Sequence, residues 1–297
     1  MSGMKRLKDY LKYLLVLVVI FFLVKYVYEN WQAVSLYQWQ FKYGLLAISF
    51  GLVFLNFLFF IQIWRGLLFK SSSFNLSFKK GFKIWFYSNL GKYVPGKLWS
   101  VMGMVYLCEK EGIPKAATLT SAILNQLLNI IGGLILVLIL SGTKFLSGVP
   151  RLTYLPLALI LLLFLYPKVM EKSLNWGLKK LKKEPVKINL SFKENIVFTL
   201  FFMLAWGVYG LAFNVFILSL TDYSFSLFPF LTSIFVFSYL AGFLSIFVPG
   251  GLGVREGLLI YYLSGYFPLP VATLIALLSR LWMTAAEVLG FFVSLKF

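Results

Sequence analysis

The sequence predicts an all-α, polytopic helical membrane protein. Three observations carry that prediction. Of 297 residues, 60% are hydrophobic and only 13% charged, whereas soluble domains sit nearer half apolar and a quarter charged. Apolar runs of about span length recur along the chain. The basic residues gather between alternate runs. An aromatic share of 19%, with 32 Phe, suits lipid-facing helices and interfacial belts.

A crossing takes about 20 mostly apolar residues. Six segments meet that expectation: Leu11–Tyr28, Tyr43–Trp64, Ala116–Leu140, Leu152–Pro167, Ile196–Leu220 and Val271–Leu295. The first follows Lys5, Arg6, Lys8 and Lys12, like a signal peptide. Glu29-Asn30-Trp31 then replaces a small-residue cleavage site, so a retained signal-anchor helix is expected. Leu152–Pro167 is short, and Pro156 is expected to interrupt it.

Two further apolar regions are broken near their middles. Phe78–Cys108 is interrupted at Pro95 and Gly96, and Leu227–Tyr266 at Pro249, Gly250, Gly251 and Gly253. Proline and glycine stop helices. Both regions are therefore expected to be re-entrant hairpins, their irregular backbone buried in protein or lining a wet cavity. The arm Leu227–Val248 is long enough to cross by itself.

Charge sets the expected orientation. With the N-terminus cytoplasmic, about 20 Lys and Arg fall in inside segments and about 4 outside, the asymmetry that positive-inside insertion produces. Both termini are then cytoplasmic, in a plasma membrane. Lys168–Lys193, the longest polar stretch, reads as a cytoplasmic surface helix or loop. The formal net charge of +18 is thereby explained by topology and anionic lipid, and nucleic acid is not an expected partner.

An internal repeat is visible. Val94-Pro95-Gly96 matches Val248-Pro249-Gly250, and Ala117-Thr118-Leu119 matches Ala272-Thr273-Leu274. Residues 1–147 and 148–297 each read as span, span, broken hairpin, span. Three crossings separate the hairpins, so they enter from opposite faces. Inverted repeats with broken helices meeting near the midplane are a transporter pattern.

The chain has no His and one Cys, Cys108. That excludes His-based triads, intrachain disulfides and most metal sites. No carboxylate pair or activated nucleophile is visible, so neither catalysis nor a cofactor is expected.

The expected site rests on charges at membrane depth: Lys92, Lys97, Arg255, Glu256, Arg280 and Glu287. Such groups are costly in lipid, so they face the bundle interior or water and find partners. Arg280 and Glu287 lie seven apart on the last helix, with Thr284 between them. They share one face, roughly 10 Å apart along the axis. Arg255 and Glu256 are their candidate partners. Free N–H groups at a helix start, together with Arg255, would form an anion site. Lys97 holds the related place in the first half, and the repeat pairs Asn125 with Arg280. The alternative is a structural ion-pair cluster pinning the hairpin to the last helix.

Pro249-Gly250-Gly251-Leu252-Gly253-Val254-Arg255-Glu256, with Val94-Pro95-Gly96 earlier and Arg280 late, resembles the lysylphosphatidylglycerol synthase transmembrane family. This is the flippase-like region of multiple peptide resistance factors. The resemblance covers essentially the whole chain and implies a stand-alone member lacking the soluble synthase domain. In two-domain members this region moves aminoacylated phosphatidylglycerol between leaflets. By that resemblance Arg255, Glu256, Arg280 and Lys97 handle lipid. The implied function is translocation of an anionic or aminoacylated phospholipid, or a related lipid. The alternative is a membrane partner of a glycosyltransferase handling polyprenyl-phosphate-linked sugars. The expected partners are lipids with anionic headgroups, with a glycosyltransferase or lipid-modifying enzyme as the protein class left open.

Overall fold

The computed structural model describes residues 21, 24–93, 99–140, 154–180, 187–245 and 251–297. Among them the regular structure is wholly helical. The helices are α1 (Trp31–Ser35), α2 (Tyr43–Ser72), α3 (Phe78–Asn89), α4 (Trp99–Lys110), α5 (Lys115–Leu140) and α6 (Leu155–Phe164). They continue as α7 (Pro167–Lys180), α8 (Phe192–Leu220), α9 (Phe228–Leu244), α10 (Val254–Leu263) and α11 (Leu269–Ser294).

Five helical stretches are long and apolar enough to cross a membrane: Tyr43–Ser72, Lys115–Leu140, Phe192–Leu220, Phe225–Leu244 and Leu269–Ser294. Four coincide with expected spans. The fifth is the first arm of the second hairpin. The expected span Leu11–Tyr28 lies largely outside the described residues.

Within the segment expected at Leu152–Pro167, whose first two residues lie outside the described ones, a helix runs over Leu155–Phe164, about half the length of a crossing. Pro156 does not interrupt it. It sits in the first turn, where the missing N–H would have no partner in any case. The chain then turns directly into α7, which carries Lys168, Lys172, Lys179 and Lys180. Met170 is buried beneath it, and Trp176 lies exposed.

α2 and α8 form the central antiparallel pair. At one end the backbone N–H groups of Gln40 and Lys42 donate to the carbonyls of Leu220 and Ser219, each at 2.9 Å. Lys42 also meets Asp222 at 2.6 Å there. At the other end Lys70 pairs with Glu194 at 2.5 Å. Ser191 and Glu194 form a reciprocal capping box that starts α8. α5 approaches α8 through Gly132 and Gly133. A Cβ on Gly132 would sit 2.9 Å from that of Phe202, and one on Gly133 would sit 2.9 Å from the indole nitrogen of Trp206. α11 approaches α3 at Gly290, whose hydrogen faces the Phe86 ring.

Both broken regions fold back on themselves. In the first, α3 with the 3-10 turn Leu90–Tyr93 lies against α4. Gly91 abuts the Ser100 backbone, and Lys80 meets Glu111 at 2.5 Å across the open end. Each arm's α-helix has 12 residues, about 18 Å at 1.5 Å per residue, well short of a roughly 30 Å hydrocarbon core. In the second, α9 and α10 are antiparallel. Gly242 touches Gly251 near the break, and Phe230 meets Tyr266 at 5.0 Å at the open end.

Two of the segments that charge assigned to one side lie together. Lys79 lies over the Phe297 ring and Phe82 packs edge-on against it. This places the chain's end beside the open end of the first hairpin. The second hairpin opens toward the opposite end of the bundle, where α9 starts just after Asp222. The described arms of the two hairpins therefore open toward opposite ends of the bundle.

Candidate functional site

The described arms of both hairpins, with α2, α5, α8 and α11, line a cavity of about 220 Å³. Trp206, Tyr209 and Tyr239 form one wall, packed ring against ring. Trp64 and Trp85 also line it.

α10 starts where the chain needs two left-handed glycines. Gly251 has φ +66° and Gly253 φ +85°, a region that side chains other than glycine rarely occupy. A Cβ on Gly251 would also sit 2.5 Å from the Gly242 carbonyl oxygen. This approach puts Arg255, in the first turn of α10, against the cavity. Its side chain is buried, with 5% exposure. The guanidinium carbon lies 5.4 Å from the Phe235 ring centre and 5.5 Å from that of Tyr239, within cation–π range. Its Nε and Nη2 groups have no hydrogen-bond partner among the described residues.

Glu256, the next residue, turns away from the cavity. One carboxylate oxygen accepts from Arg280 Nη1 at 2.9 Å and the other from the Gly253 N–H at 2.6 Å. Both oxygens of this buried group are thus engaged, and it ties the start of α10 to α11. At this helix start Glu256 takes the Gly253 N–H, and the Arg255 side chain keeps donors without a partner among the described residues.

Arg280, Thr284 and Glu287 line the cavity along one face of α11, as their spacing requires. Glu287 pairs with Lys92, from the end of the first hairpin's described arm, and among the described ion pairs none joins it to Arg255. Pro95, Gly96, Lys97, Pro249 and Gly250 lie outside the described residues. The cavity also gathers polar side chains that the sequence alone did not single out as a site: Trp64, Trp85, Ser88, Asn125 and Asn129. Asn125 was visible only as the repeat partner of Arg280.

The family model for the lysylphosphatidylglycerol synthase TM region matches residues 10–289. The chain belongs to that family. No curated protein and no solved structure matches it. The match takes in both hairpins, α11 up to two residues beyond Glu287, and every described residue of the cavity. This member of the lysylphosphatidylglycerol synthase TM family is therefore a multi-pass membrane protein whose buried charges converge between two folded-back helix pairs. Among the described residues, no cluster of His, Cys, Asp and Glu is suited to hold a metal.

Proposed function

We propose that this protein is a flippase-like transporter that carries a lipid headgroup through the cavity while the acyl chains stay in the surrounding lipid. The observation that carries the reading is Arg255, a cavity-lining residue whose buried guanidinium has two nitrogens without a hydrogen-bond partner among the described residues. A buried donor left unpaired costs about 1–3 kcal/mol. A headgroup that accepts from it recovers that cost only when bound. Two re-entrant hairpins in inverted repeats, 1–147 and 148–297, supply the frame, and such repeats place substrate where broken helices meet.

In this reading Arg255 and Arg280 contact the headgroup and Thr284 lies between the ends of the site. Glu256 holds Arg280, and Glu287 holds Lys92. Movement of lipid, and not bond chemistry, is the activity. The protein sits in the plasma membrane with both termini cytoplasmic.

The test is translocation of headgroup-labelled lipid in proteoliposomes containing only this protein, with Arg255→Gln as comparison. The expected result is lipid movement well above protein-free vesicles, lost in the folded variant. No movement of any lipid by folded protein overturns the proposal.

A further inference from the structure

We infer that the headgroup taken by this cavity is anionic, carries hydroxyl groups and has no amine. The inference rests on the transport reading and narrows it.

Six residues from four helices that line one cavity carry buried polar atoms without a hydrogen-bond partner among the described residues. They are Nε and Nη2 of Arg255, the indole N–H groups of Trp64 and Trp85, Ser88 Oγ, and the amide oxygens of Asn125 and Asn129. Buried polar groups are ordinarily satisfied, so such a concentration calls for an occupant. Guanidinium and indole donate and never accept. The occupant must therefore present acceptors, which phosphate oxygens supply to a guanidinium with charge assistance. Ser88 and the two amides both donate and accept. Asn125 and Asn129 are one turn apart on α5, so they share a face and match hydroxyl groups.

Charge excludes the amine. Among the described residues that line the cavity, Lys92, Arg255 and Arg280 face a single carboxylate, Glu287. Glu287 is engaged by Lys92. Glu256, behind the wall, is engaged by Arg280 and the Gly253 N–H. An ammonium entering here finds carboxylates already held by cations, and meets Arg255 in a low-dielectric setting where like charges repel strongly. The volume, about 220 Å³, is below the roughly 300 Å³ at which pockets for drug-sized ligands begin. It admits a headgroup without chains.

The test measures binding to the purified full-length protein, read as the shift in thermal unfolding in detergent. The probes are short-chain phosphatidylglycerol, phosphatidylinositol, phosphatidic acid and lysylphosphatidylglycerol, with chainless glycerol 3-phosphate. The first two are expected to bind at least tenfold more tightly than lysylphosphatidylglycerol and several-fold more tightly than phosphatidic acid. Their ratio tells a glycerol from a cyclitol headgroup. Arg255→Gln should abolish the difference. Trp85→Phe, which keeps the ring and removes one donor, should weaken binding several-fold and serves where Arg255→Gln fails to fold.

Equal or tighter binding of lysylphosphatidylglycerol overturns the inference. So does phosphatidylglycerol affinity unchanged in the variants. Glycerol 3-phosphate binding as tightly as the lipid assigns the site to a soluble anion and overturns it too. Selective binding without movement in proteoliposomes sinks the transport reading and leaves the selectivity standing.

Discussion

Lys92 and Glu287, 195 residues apart, form an ion pair that joins the tip of the first hairpin to the last helix. The side chains are 30% and 14% exposed, so water screens the pair in part. Lys92→Met should destabilise the protein by less than the roughly 3–5 kcal/mol of breaking a fully buried pair. Adding Glu287→Met should return part of the loss, because the carboxylate that Lys92 answered is then gone as well. Thermal unfolding of both single variants and the double variant measures the coupling. Additive losses would show that the two side chains act independently.

Substitutions at Arg280 are expected to separate folding from the proposed transport. Arg280→Lys keeps the charge beside Glu256 but gives up the planar fork that grips phosphate at two points. The expected variant folds near normally and moves lipid poorly. Should Arg280 serve only to hold Glu256, stability and activity will fall together across Lys, Gln and Ala replacements. Normal transport by folded Arg280→Gln removes this arginine from the substrate path.

The glycines of the second hairpin predict opposite effects within seven residues. Gly251→Ala meets a left-handed backbone and the Gly242 carbonyl at 2.5 Å. It should cost upwards of about 1–3 kcal/mol from backbone strain alone. Gly257, inside α10, has nothing within 4 Å of an added Cβ. Gly257→Ala should stabilise by roughly 0.5–1 kcal/mol through the lower chain entropy lost on helix formation. Chemical or thermal unfolding of the two variants reads both signs. A neutral Gly251→Ala would contradict the close approach.

Orientation is testable with little background. Cys108, the one cysteine, is fully buried. Single cysteines introduced at Lys79 or Lys296 should react with membrane-impermeant reagent only from the cytoplasmic side. One introduced at Asp222 should react only from outside. Labelling of all three from one side rejects the topology.

Much of the frame was legible because lipid imposes one rule, that a crossing is long, apolar and internally hydrogen-bonded. Tyr43, Ala116, Ile196 and Val271 each fall within four residues of a helix start. The pairing of Arg280 with Glu256 was legible too, since Glu256 is one of the few opposite charges at membrane depth. Pro156 was misjudged because a proline looks alike in a first turn and in a helix interior. The partner of Glu287 was hidden by distance along the chain. Nothing local ties Lys92 to a residue 195 positions away. Trp64 and Trp85 were hidden by type, because tryptophan in an apolar run reads as packing until its N–H is found without an acceptor.

α11 holds the first hairpin through Glu287 and the second through Arg280, two turns apart on one face. The helix is consequently a shared axle. If one tip swings, the rod it grips must rotate or slide, and the other tip is carried with it. Opening toward one leaflet and closing toward the other would then be a single mechanical event, with no signal passed between separate gates.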